Sequence, residues 1–364
     1  MSYTLIDCWI EFLAGNTSKV SVLDNNLMRR TSGSRSFRIG KIPPDSMVRA
    51  VYSHGGKPNP RLVLGPGIGR DTAVVRLAKE LVVLTADPVT GTTKHIGEHS
   101  VHINANDLAA TGARPVWYVC TLLLPPGTSE KTLARIMGGI DQASRSLGIT
   151  VAGGHTEVTH DLDRPIIAGF MIGELAGRIL SSSNMRIGDW ILMTKTAGIE
   201  GTAILASEYS GRLKRVKHET IRKAQSFVKK ISIVKEAMSI SMISGVHALH
   251  DPTEGGVLNG LWELAEASGL GIEVWADRIP LATETSKICS ELGLDPLKLM
   301  SSGCLLSAVA PNSVARVMKA LRNREVRVSE IGRVTPRAKG RFFLKGGKKL
   351  DLVAVPQDEL YKLA

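Results

Sequence analysis

Val101-His102-Ile103-Asn104-Ala105-Asn106-Asp107-Leu108-Ala109-Ala110-Thr111-Gly112-Ala113-Arg114-Pro115 is the stretch on which the fold turns. Its small and apolar residues predict a helix over Val101–Thr111, stopped by Gly112. The run that follows, Val116–Leu124, is apolar and reads as a buried strand. Asn106-Asp107 stands beside a face otherwise built from Ala105, Leu108 and Ala109. A helical aspartate is commonly solvated or a cap, but next to that face an inward polar role is expected.

Three more polar stretches flank it: Gly65-Pro66-Gly67-Ile68-Gly69-Arg70-Asp71, Gly153-Gly154-His155-Thr156-Glu157 and Asp251-Pro252-Thr253-Glu254-Gly255-Gly256. Each joins glycines to carboxylates or other polar groups. Glycine lets backbone N–H groups approach a phosphate, and aspartate supplies hard oxygen ligands for Mg²⁺. Repeated along one chain, the pairing predicts a Mg²⁺-nucleotide enzyme. Gly65–Asp71 serves equally as a simple tight turn. It lacks the Rossmann order, because a second apolar strand follows with no helix between. Leu81–Ala86 reads as a strand that leaves Asp87 at its C-terminal edge. Thr150–Ala152 leads into Gly153–Thr156, which is expected at a strand end as a phosphate cradle. His155 there is either structural or catalytic. Val246–His250 is a strand delivering Asp251, and Gly255-Gly256 behind it implies close approach of a ligand or of backbone.

The chain has 364 residues, 43% hydrophobic and only 4% aromatic, with 36 dispersed glycines. That describes an aliphatic-cored protein of two domains and not a module that stacks bases on aromatics. Its net charge of +12 gathers at residues 212–230, read as a long basic helical stretch, and at 316–349. Solvated faces that draw in an anionic substrate account for these clusters. Nucleic-acid binding is not expected. No apolar run is long enough to span a bilayer, and the start lacks a signal-peptide layout. Cys8, Cys120, Cys289 and Cys304 are far apart, as expected of reduced thiols in a cytoplasmic protein.

Residues 1–37 hold no sustained period and read as a flexible extension. From Gly40 onward strands and helices alternate. A helix capped by Thr128 buries Leu133, Ile136, Met137, Ile140 and Leu147 before Gly148, and Pro165–Gly173 is a strand. In the second half the expected strands are Trp190–Thr194, Leu305–Ala310 and Val326–Val334. Helices are expected near Thr202–Ser207, after Asp251 as far as Gly269, and over Val314–Leu321. Two domains follow, 38–178 and 179–364, of α+β class with α/β-type layers.

Together Asp71–Val75, Thr85-Ala86-Asp87, Asn106–Pro115, Gly153–Thr156 and Asp251–Val257 resemble the aminoimidazole ribonucleotide (AIR) synthetase, or PurM-like, superfamily. That group includes thiamine-monophosphate kinase, selenophosphate synthetase and HypE. The likeness runs from Gly40 to Val355. Asp-Pro-Thr-x-Gly-Gly-Val, with Gly293-Leu294-Asp295-Pro296 downstream, points to the HypE branch. The resemblance implies a homodimer paired through its N-terminal domains, with Mg²⁺ and ATP as cofactors. Asp71, Asp87 and Asp107 would hold Mg²⁺ and phosphates. Asn106 and Thr156 would touch the nucleotide, with Gly67, Gly69, Gly153 and Gly154 bringing backbone to it. His155 and Asp251 would face the reacting groups.

This sequence departs from the pattern in several places. No cysteine follows Cys304, whereas HypE modifies a C-terminal one. Arg70 takes the place of a second acid, and Glu254 replaces an arginine. His155 is as in selenophosphate synthetase, yet that enzyme's reactive N-terminal Cys/Sec motif is absent. Two functions are expected: an ATP-dependent enzyme acting on a small molecule or a partner protein, or a nucleotide-binding assembly factor without turnover. A kinase or synthase like the two named relatives is the nearest variant of the first.

Overall fold

The computed structural model describes residues 37–54 and 56–363, so the expected extension lies, apart from Phe37, outside the described residues. The chain divides at Pro60–Arg61. Before that point the described residues hold one short α-helix, α1 (Pro44–Ala50), and a 3₁₀ turn over Tyr52–His54. Helix α1 begins with proline, and Asp45 and Arg49 pair across one turn at 2.8 Å.

After Arg61 the chain builds two sheets. The first contains β1 (Leu62–Leu64), β2 (Ala73–Leu77), β3 (Glu80–Val89), β4 (Ala113–Leu124), β5 (Thr150–Val158) and β6 (Ile166–Leu175), in the spatial order β1-β2-β3-β6-β4-β5. Helices α2 (Ile96–Ala110) and α3 (Glu130–Leu147) belong to this half. The second sheet contains β7 (Trp190–Thr194), β8 (Val246–His250), β9 (Gly271–Trp275), β10 (Leu306–Val309), β11 (Val328–Thr335), β12 (Arg341–Lys345) and β13 (Lys348–Asp351), ordered β13-β12-β9-β11-β7-β10-β8. Its helices are α4 (Ile199–Glu208), α5 (His218–Gln225), α6 (Val234–Ile240), α7 (Gly256–Ser268), α8 (Thr283–Leu292) and α9 (Val314–Arg322). Neighbouring strands are antiparallel except β4 with β5 and β9 with β12. The class is therefore α+β, as expected, with both sheets mixed.

Helix α2 explains its own composition. Leu108 and Val101 join the first core with Val83, Tyr118, Leu122, Ile140 and Met171. Ala109 and Ala110 join Leu192, Ile233, Leu249 and Val309 from the second half. A helix covered on nearly every side needs small, apolar residues all round. Gly112, at φ +87°, then turns the chain into β4.

Several local expectations are corrected. Thr128 does not cap α3; the Ser129 hydroxyl accepts the Thr132 N–H at 3.2 Å. Met137 sits at the edge of the buried face and stays exposed, while Ile136, Ile140 and Ala143 are buried. The basic stretch 212–230 is one short α-helix, α5, flanked by single 3₁₀ turns. Strands β9, β12 and β13 and helix α8 were not expected.

Candidate functional site

Asp71 follows the turn Gly65–Arg70 at the entrance to β2. Inside that turn Gly67 bridges to Arg70, and the Arg70 guanidinium reaches back to the Gly65 carbonyl at 3.5 Å. A Cβ on Gly69 would lie 2.9 Å from the Glu263 carbonyl on α7, so this glycine seats the turn against a helix of the second half. The Asp71 carboxylate is therefore placed by both halves of the molecule.

Asp87 is not at the edge of its strand, because β3 runs on to Val89. Beyond Leu84, however, β3 has no β2 partner. On that free side a side chain takes up the exposed peptide groups of Asp87. Asn104 of α2 accepts the Asp87 N–H at 3.0 Å and donates to the Asp87 carbonyl at 3.2 Å. An asparagine thus stands in for a missing strand and fixes the backbone that carries Asp87.

Asp107 lies one turn further along α2 and is 2% exposed. The Thr85 hydroxyl, from the same strand as Asp87, donates to it at 2.7 Å and also lies 3.0 Å from the Asp71 carbonyl. Burial, and then the charges of Asp87, Asp251 and Asp71, push the Asp107 carboxyl well above the ordinary range against the pull of the Thr85 hydrogen bond. Poorly hydrated Asp107 therefore feels the charge of carboxylates from three other motifs.

Asp251 follows β8, where the sequence puts it, and is 1% exposed. The two glycines behind it are explained by packing within the chain: at φ +66°, a Cβ on Gly256 would meet the Leu297 and Leu299 carbonyls at 2.6 and 2.7 Å, and at φ +80° one on Gly255 would meet the Asn259 side chain at 2.7 Å. His250, immediately before Asp251, is buried between acids. Its Nδ1 is 3.3 Å from Asp71 and its Nε2 is 3.0 Å from Glu263. Burial alone would lower this imidazole, yet Asp71 and Glu263 outweigh it and lift the group to about 10. A small cleft lined by Gly69, Arg70, Asp71, Thr72, Ser181 and Ser182 opens beside this pair.

Two groups of expected residues lie elsewhere. Asn106 is wholly buried and spends its amide on backbone, donating to the Ile231 carbonyl and accepting the Ile233 N–H, each at 2.9 Å. Instead of facing open space for a nucleotide, it fastens α2 to the segment before α6. Gly153, Gly154, His155 and Thr156 are not at a strand end. They sit inside β5, the open edge of the first sheet, exposed throughout. Gly154 is dictated by strand pairing, since at φ +150° a Cβ there would collide with the Cys120 carbonyl on β4. His155 pairs with exposed Glu157 at 3.1 Å. Register aligns Gly154 with Cys120, Gly169 and finally Asp87, three strand spacings or about 14 Å. Within one chain His155 does not join the carboxylates.

The donor set suits a hard divalent cation, because clustered carboxylate oxygens gain most from one. Among the described residues, no three acidic, histidine or thiol side chains are close enough to hold a metal by themselves. Oxygens from a bound ligand would have to complete the set, as phosphates do for Mg²⁺. His250 and Glu263 were not singled out from the sequence, whereas Thr85 and Asn104 stand inside the quoted motifs without a role of their own.

Two mixed sheets with acidic motifs converging from both halves define a two-domain PurM-like protein. The models for AIR synthase related proteins match it in both parts, the N-terminal domain over residues 69–175 and the C-terminal domain over residues 186–345. The chain belongs to the AIR synthase related family. It is 30% identical over 268 residues to the hydrogenase expression/formation protein HupE of Azotobacter chroococcum mcd 1, covering 70% of this chain and 74% of that one. With the carbamoyl dehydratase HypE of Escherichia coli K12 the identity is 29% over 250 residues, 68% of this chain and 71% of HypE. A crystal structure of the hydrogenase maturation protein HypE in complex with ATP shares the fold, with a TM-score of 0.67 at 24% identity over 83% of this chain and 92% of that one. Among the described residues no helix is long and apolar enough to cross a membrane.

Proposed function

We propose that this chain is an ATP-dependent enzyme of HypE type that uses Mg-ATP to phosphorylate or activate a group on a small molecule or partner protein. The observation that carries this is buried Asp107, whose carboxyl is pushed well above its ordinary range first by burial and then by the charges of Asp87, Asp251 and Asp71. Fixed anionic oxygens of this kind are the protein's half of a Mg²⁺-phosphate site. The HypE structure solved with ATP supports the choice of nucleotide. Bound Mg²⁺ would neutralise phosphate charge as it develops. Asp71, Asp87 and Asp107 would hold the cation together with phosphate oxygens, and Asp251, directly after β8, would face the acceptor. Asn104 and Thr85 keep two of these acids in place.

The chain would work as a homodimer, and the exposed edge strand β5 supports this, since an unpaired edge is a template for another strand. Gly153, Gly154, His155 and Thr156 would then serve a nucleotide across that edge. The deciding experiment follows ATP with Mg²⁺ and candidate acceptors, including a HypE-type carbamoylated thiol peptide, and separates ADP from AMP. Turnover to ADP that disappears in Asp87→Asn supports the proposal. Nucleotide binding without turnover would assign an assembly role, and no binding at all would end the nucleotide assignment.

A further inference from the structure

His250 has both ring nitrogens committed. Nδ1 lies 3.3 Å from the Asp71 carboxylate, with the Ser182 hydroxyl 3.4 Å away, and Nε2 lies 3.0 Å from Glu263. A ring flip would put carbon atoms where both nitrogens meet their partners, so the imidazole has one orientation. The backing is itself fixed, because the other Glu263 oxygen accepts the Asn259 amide at 3.1 Å one turn back on α7. Gly260 lets that helix come close, its would-be Cβ standing 3.3 Å from the His250 ring edge. At the far end, the Asp71 side chain is 31% exposed while the imidazole behind it is 2% exposed. One carboxylate oxygen is thus anchored from the interior, and the group as a whole reaches the cleft.

We propose that His250, braced by Glu263, is a positioning residue that fixes the direction of the Asp71 carboxylate toward Mg²⁺-bound phosphate. This rests on the assignment of Asp71 as a cation and phosphate ligand. The arrangement matches the way a ligand's outer hydrogen-bond partner orients it, a contribution commonly worth 10–100-fold in metal affinity. It also joins the first and fourth acidic motifs physically: Asp71 belongs to the first half, while His250 and Glu263 belong to β8 and α7 of the second.

The test uses the full chain and a non-hydrolysable ATP analogue, with the Mg²⁺ concentration for half-maximal binding measured by calorimetry. Wild type is compared with Asp71→Asn, His250→Gln, Glu263→Gln and the Asp71→Asn/His250→Gln double variant, and thermal midpoints are recorded in parallel. His250→Gln should raise the Mg²⁺ requirement about 10–100-fold. Glu263→Gln, which keeps a hydrogen-bond acceptor and the side-chain shape, should raise it less. The double variant should be no worse than Asp71→Asn alone, because His250 acts through Asp71. A His250→Gln protein that loses thermal stability but keeps the wild-type Mg²⁺ requirement would overturn the inference and leave the nucleotide assignment standing. Should His250→Gln fail to fold, a wild-type Mg²⁺ requirement in Glu263→Gln would overturn it equally. No binding by the wild type would overturn both.

Discussion

The Glu208 carboxylate accepts the Thr93 N–H at 2.9 Å from across the molecule. It also accepts the Lys94 N–H at 2.8 Å and the Thr92 hydroxyl at 2.9 Å, while Lys94 returns a bond to the Ser207 carbonyl. The end of α4 is thereby clasped to the loop between β3 and α2. Burial would raise this carboxyl, but the N–H groups of Lys94 and Thr93 and the threonine hydroxyls prevail and hold it below the usual range. A depressed carboxyl stabilises above its unfolded pKa and is lost as pH falls through its folded one. Glu208→Ala should cost about 1–2 kcal/mol at neutral pH, and the deficit should shrink below about pH 4 in denaturant titrations. A deficit that persists unchanged at acid pH would show that the contacts act by shape alone.

Asp107 should be a stability liability kept for function. Replacing it by asparagine removes a buried acid crowded by three others and keeps an acceptor for Thr85. Asp107→Asn is therefore expected to raise the thermal midpoint while weakening Mg²⁺-dependent nucleotide binding at least tenfold. Loss of stability together with unchanged binding would contradict both halves of this expectation.

Asp358 gives a pH dependence of the opposite sign. It takes the Gly255 N–H at 2.7 Å and the Leu360 N–H at 2.8 Å while 2% exposed. Burial lifts it to about 7 in spite of those bonds. Since the unfolded carboxyl titrates near 4, the folded state binds the extra proton and stability falls as pH rises from about 4 to 7. Against Asp358→Asn, the wild type should lose thermal midpoint steadily over that window and then run parallel to it. A constant gap from pH 4 to 8 would rule the ionisation out.

Chains carrying Asp87→Asn, mixed with chains carrying His155→Asn, test the shared-edge proposal. Each alone should be impaired in turnover, and mixing should restore about a quarter of wild-type activity if a nucleotide is served by β5 of a second chain. That fraction is the share of sites drawing an intact residue from both chains in a random dimer. No recovery on mixing, or full activity of His155→Asn alone, would remove His155 from the site.

The sequence disclosed the site where chemistry sits at a joint between elements. Asp251 after β8 and Asp71 before β2 were legible because a carboxylate next to glycines at such a joint has few structural uses. His250 was not, since a single histidine ending an apolar strand looks the same whether it fills space or grips two acids. Gly154 was ambiguous for a related reason. Close approach of a phosphate and close approach of the Cys120 carbonyl demand the same residue, and only the neighbouring strand tells them apart. Asn106 misled because a buried amide satisfied by backbone and one facing a ligand share one sequence pattern. The small-residue face of α2 was readable as helix, but not as a helix packed by two sheets, because its second partner begins some eighty residues later.

Strand β5 carries a further consequence. All nine of its residues are exposed, and neither lysine nor proline interrupts Thr150–Val158 to discourage a neighbour. Were β5 to pair with a second copy, as proposed above, the chain's resistance to heat would depend on how much of it is present. Dilution would lower the melting temperature by mass action, with no change in sequence or solvent. Any comparison of variants is then meaningful only at matched protein concentration.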